Sequence, residues 1–160
     1  MRTILAVVLV LVLAMVFRDS RASEDSSLPP DVAKALASAD RVELYSLEPW
    51  FDEDTKEAKW HGYVLLGHTT LSGDKAKLAV REFESTIKGA DSSACFEPRH
   101  GLRVESAGHA YDLLLCYQCD ALALYVDDKF VRKYGAHGSP KVLNKLLGEA
   151  KVPLSQSGDD

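Results

Sequence analysis

The sequence has no glycine-rich phosphate loop and no serine set in a nucleophile elbow. His61, His68, His109 and His137 are scattered through expected loops and strand ends, so no hydrolase constellation forms. These absences point away from an enzyme and toward an exported binding or structural domain that needs no cofactor. Positive charge is short: 19 Lys and Arg face 24 Asp and Glu, for a net charge of −5. Such a surface repels phosphate backbones and anionic lipid, which argues against nucleic acid as a partner. No internal repeat is visible, and no apolar run beyond residue 17 is long enough to hold the chain in a membrane.

The one long apolar run, Ile4 to Phe17, follows Arg2 and leads into Ser20-Arg21-Ala22. A basic start, a short apolar stretch and a small-x-small exit predict a signal peptide over residues 1–22, with the mature chain beginning at Ser23. At about fourteen residues the run is shorter than the roughly twenty that span hydrocarbon. The expected destination is therefore periplasmic or extracellular, with an uncleaved membrane anchor as the alternative. Loss of residues 1–22 removes Arg2, Arg18, Arg21 and Asp19, two net positive charges, and takes the chain from −5 to −7.

Residues 23–30 read as a flexible lead-in, 31–154 as a single domain and 155–160 as a disordered tail. A first helix is expected over Asp31–Ala39, with Val32, Ala35 and Leu36 on one face, and a strand over Arg41–Leu47. Glu48 to Lys59 is a charged and aromatic loop. Trp50 and Phe51 could anchor a ligand there, and Asp52, Glu53 and Asp54 could hold a cation, although calcium-loop spacing is missing and a solvated hairpin connection explains them as well. Trp60–Leu71 reads as one strand, and Gly73–Lys88 as a helix capped by Ser72 and ended by Gly89. Strands are expected again over Ala121–Val126 and, shorter, Phe130–Tyr134, before a final helix opened by Ser139 and Pro140. The fold class is α+β: an antiparallel sheet of four to six strands with two main helices, 73–88 and 139–148, packed on one face. Leu78, Phe83, Leu102, Val104, Leu113, Leu115, Leu143 and Leu147 are expected to be buried together.

All three cysteines lie between Cys95 and Cys119. Leu102 and Val104 alternate with Arg103 and Glu105, turn residues follow, and Tyr111–Leu115 resumes, which is the pattern of a hairpin. A turn centred on Ala107 and Gly108 places His100 opposite Leu115 and returns Cys116 and Cys119 toward Cys95. Three chemistries then compete. In an exported chain a disulfide staple joining two of Cys95, Cys116 and Cys119 is the default; Cys95 reaches either partner more easily than Cys116 reaches Cys119 along a strand. Cys95, His100, Cys116 and Cys119 could instead hold zinc, and Cys116-Tyr117-Gln118-Cys119 could act as a thiol-redox pair. Haem attachment is excluded, because Asp120 stands where histidine is required.

Cys95-Phe96-Glu97-Pro98-Arg99-His100-Gly101, followed by an apolar run into Cys116-Tyr117-Gln118-Cys119, resembles an uncharacterised family of small exported bacterial proteins with CFxPRHG and hydrophobic-CFxC segments. The likeness covers residues 95–119, with Tyr117 in place of the family's phenylalanine. It implies a bacterial exported protein and draws attention to the same cysteines, and it implies no activity.

Overall fold

The computed structural model describes residues 27–49, 56–90 and 93–156. The expected signal peptide with its cleavage point, the Trp50–Asp54 candidates and residues 157–160 lie outside these. Eleven elements follow in order: α1 (Pro30–Ala37), β1 (Arg41–Glu48), β2 (Lys59–Trp60), β3 (Tyr63–Ser72), α2 (Asp74–Thr86), β4 (Ile87–Ala90), β5 (His100–Ser106), β6 (His109–Cys116), β7 (Ala121–Val126), β8 (Lys129–Ala136) and α3 (Lys141–Glu149). The strands form a single eight-stranded sheet in the order β2-β3-β1-β5-β6-β7-β8-β4. Every neighbouring pair is antiparallel.

This corrects the expectation of an α+β fold with four to six strands and two main helices: the structure is mostly one antiparallel sheet. The apolar stretch from Trp60 is not one strand, because His61 and Gly62 adopt φ of 50° and 88° and make a two-residue turn between β2 and β3. The helix expected to reach Lys88 stops at Thr86. The Thr86 hydroxyl donates to the Phe83 carbonyl at 2.7 Å, Ile87 is already extended, and Ile87–Ala90 pairs with β8 as an edge strand. β8 itself runs for eight residues where a shorter strand was expected. With α1, three short helices accompany the sheet among the described residues.

The helices cover one face of the sheet. Val32, Ala35 and Leu36 of α1, Ala79, Val80 and Phe83 of α2, and Leu143, Leu146 and Leu147 of α3 share a core with Val42, Leu44, Leu102, Val104, Leu113, Leu115, Leu122, Leu124 and Tyr134. Seven of the eight residues expected to be buried together belong to this core. Leu78 does not; at 37% exposure it sits beside the buried stripe of α2, which runs through Ala76, Ala79, Val80 and Phe83. Residue Ser155, at the start of the expected tail, donates from its hydroxyl to Glu48 Oε2 at 3.0 Å.

The opposite face is closed by the sheet itself. Trp60 of β2 stacks flat on Tyr45 of β1, with ring centroids 4.2 Å apart and planes 4° from parallel. His61 then lies over Tyr125 of β7 at 4.0 Å. Five strand spacings separate β2 from β7 in the sheet order, about 24 Å in a flat sheet at roughly 4.8 Å each. The contact therefore requires the sheet to roll, and the register slip between Ser46 and Leu47 in the β1–β3 ladder is a bulge of the kind that bends a strand. The result is a second, smaller core of Tyr45, Leu47, Trp60, Leu114 and Ala123.

Gly101 of β5 is the floor beneath the Trp60 ring. A Cβ at this position would meet the ring, including Cη2 at 2.8 Å. Gly101→Ala is expected to cost about 1–3 kcal/mol, the usual range for overpacking a tight core. Denaturant unfolding measures it, and a change below 0.5 kcal/mol would mean that the indole is not seated on β5.

Candidate functional site

The β5–β6 hairpin supplies the frame of the site. Ala107 and Gly108 take φ of 53° and 82° as the two central turn residues, and this fixes His100 opposite Leu115, Leu102 opposite Leu113 and Arg103 opposite Asp112. Upstream of His100 the chain leaves the ladder at Pro98. Arg99 still spans two strands: its N–H donates to the Leu115 carbonyl at 3.3 Å, and its own carbonyl accepts from the Leu47 N–H at 3.0 Å. That path carries Cys95 to Cys119, and the two form a disulfide with Cα atoms 5.7 Å apart.

Cys116 is the remaining thiol, and it is buried. Its sulfur accepts the Cys119 N–H at 3.1 Å, and burial pushes its pKa up. A thiol that is buried and harder to ionise is a poor nucleophile, and the disulfide does not join the two ends of Cys116-Tyr117-Gln118-Cys119. The four residues considered for zinc are not brought to one centre either. Cys95 and Cys119 are bonded to each other, while His100 turns to the helical face and donates from Nε2 to Asn144 Oδ1 of α3 at 2.7 Å.

The stapled stretch borders a cavity of about 630 Å³. His100 enters it from the start of β5 and Arg99 from the residue before that strand, Tyr117 and Gln118 from the β6–β7 turn, and Gly138 to Lys141 from the segment that opens α3. Both terminal nitrogens of Arg99 donate to Gln118 Oε1, each at 3.2 Å, so the segment that follows Cys95 meets the residue before Cys119 across the wall. The Tyr117 hydroxyl is turned away to Glu82 of α2 at 3.4 Å, and burial together with that carboxylate raises its pKa. Its ring lies edge-on to His100 with centroids 5.7 Å apart, and forms an apolar side of the cavity with Pro140.

A second cluster lies on the rolled face. Asp112 is fully buried in β6; Arg103 donates to it from Nε at 2.7 Å and from Nη2 at 2.6 Å, and His61 donates from Nε2 at 2.7 Å. Burial alone would raise the Asp112 pKa, but these donors together hold it below the ordinary carboxylate range. Among the described residues His61, Asp112 and Asp128 are the one group of acids, cysteines and histidines whose ligand atoms converge. Their cation is already present, because the Arg103 guanidinium takes both Asp112 oxygens and reaches Asp128 at 3.2 Å. The cluster ties the β2–β3 hairpin to β5 and β6. Beside it the Tyr45 hydroxyl donates to Glu43, and burial followed by that bond raises the tyrosine pKa.

Arg99, Tyr117, Gln118 and Lys141 were not singled out as site residues from the sequence, nor was the Arg103–Asp112–His61 cluster. A signal existed for the pair: the hairpin register that sets His100 against Leu115 also sets Arg103 against Asp112, an acid in the middle of an otherwise apolar strand. His61 had no such signal, since its role depends on the rolling of the sheet. Compared with protein-family models, curated proteins and solved structures, the chain matches none. Among the described residues no helix is long and apolar enough to cross a membrane.

Proposed function

We propose that this is an exported, non-enzymatic binding domain in which the disulfide-stapled stretch from Cys95 to Cys119 builds one side of a small-molecule pocket. The observation that carries the reading is the cavity of about 630 Å³ bordered by Arg99, His100, Tyr117, Gln118 and the segment opening α3. Its size falls within the roughly 300–1,000 Å³ of small-molecule sites, and its mix of ring, amide and cationic groups suits a ligand with one polar end. The disulfide supports export, because such bonds persist in oxidising compartments. The cysteines then hold the wall in place and are not themselves the reacting groups.

The test is a thermal-shift panel on the purified full chain, using small aromatic acids, amides and alcohols at millimolar concentration. At least one compound is expected to raise the melting temperature in a concentration-dependent way, as binding to the folded state requires. Ser139→Trp, at an exposed position on the rim, should abolish the response. A panel that shifts nothing, or a Ser139→Trp protein that responds like wild type, would remove the pocket from consideration.

A further inference from the structure

We infer that the pocket selects an oxyanion, a carboxylate or phosphate group carried on a flat apolar body; this rests on the binding-domain reading above. The chain is net negative at −5, yet among the described residues the cavity is bordered by the two cations Arg99 and Lys141 and by no carboxylate. A patch of opposite sign on an acidic protein raises the local concentration of anions.

The geometry adds to the charge. The Arg99 fork is presented in the wall with both terminal nitrogens on a neutral amide oxygen, Gln118 Oε1. A carboxylate or phosphate can replace that oxygen with a two-pronged contact in which both partners are charged. Gln118 sits in a turn and can rotate aside, while its neighbour Cys119 stays fixed by the disulfide. Lys141 is the first residue of α3, a nine-residue helix that no side chain caps, so the positive end of the helix faces the same opening. The Tyr117 ring and Pro140 provide the surface for the apolar body.

The probes are benzoate, phenyl phosphate and their neutral counterparts benzamide and benzyl alcohol, titrated into the full chain by calorimetry. At least one anion should bind tenfold or more tighter than either neutral compound, and whichever of benzoate and phenyl phosphate is tighter identifies the head group. Lys141→Gln, at an exposed position, should reduce anion affinity several-fold and leave benzamide unaffected. Arg99→Gln should reduce it further. Equal binding of benzamide and benzoate, with Ser139→Trp blocking both, would overturn the oxyanion preference and leave the pocket standing. No binding by any probe, or binding that survives Ser139→Trp, would end both readings. An anion effect unchanged in Lys141→Gln and Arg99→Gln would also overturn the preference.

Discussion

Replacing Asp112 by alanine is expected to destabilise the fold by about 3–5 kcal/mol, the range for removing one partner of a buried ion pair. The size follows from what is left behind. Arg103 and His61 are both largely buried, with side chains 22% and 5% exposed, and both point their donors at this one carboxylate. Without it the guanidinium keeps its 3.2 Å ion pair to the exposed Asp128 and its place over the Trp60 ring, and the β2–β3 hairpin loses its hydrogen-bonded tie to β6. Asp112→Asn keeps the volume and one acceptor, so it should cost less than alanine.

The charge has a pH signature as well. The folded-state pKa of Asp112 lies below its unfolded value of about 3.9. Its contribution is therefore fully present above pH 4 to 5 and is lost as pH falls through the folded pKa. The difference in unfolding free energy between wild type and Asp112→Asn should accordingly be constant near neutrality and shrink below pH 4. A difference that stays flat down to pH 2, or an alanine variant within 1 kcal/mol of wild type, would show that the carboxylate does not hold the rolled face together.

The parts of the fold that follow from local rules were readable from the residues, and the parts that follow from distant contacts were not. The alternation of Leu102 and Val104 and the Ala107-Gly108 turn lead to the observed register of β5 and β6, because strand period and turn chemistry act over a few residues. The apolar stripe of α3 is equally local. The strand count went wrong where two signals overlapped. Trp60 to Leu71 reads as one strand because Tyr63 through Leu66 is near-continuously apolar, and only the two-residue turn of His61 and Gly62, both with positive φ, separates the two-residue β2 from β3. Isolated from β8, Ile87–Ala90 has no pattern of its own; it becomes a strand because an edge is available to pair with it. The second core depends on the curvature of the whole sheet, which no stretch of sequence expresses by itself. The pocket was half visible: the cysteine stretch drew attention to Cys95 through Cys119, but Ser139 to Lys141 joins it from the far end of the chain.

Cys95→Ser is expected to lower stability by about 3 kcal/mol in oxidising buffer, or roughly 10 °C in melting temperature for a domain of this size. The bond joins residues 24 apart, and in the chain-entropy account a loop of that length in the unfolded chain is the main source of the stabilisation. Reductant should bring wild type down to the level of the variant and leave the variant unchanged. Denatured but unreduced wild type should give one reactive thiol, Cys116, and all three after reduction. Cys116→Ala separates this pairing from the alternatives. Because Cys116 takes no part in the bond, its alanine variant should keep the full reductant effect on melting temperature, offset only by the lost packing of a small side chain. If Cys116→Ala abolishes the reductant effect and Cys95→Ser does not, the staple joins Cys116 and Cys119, and the wall that Arg99 and Gln118 make across the pocket has no covalent support.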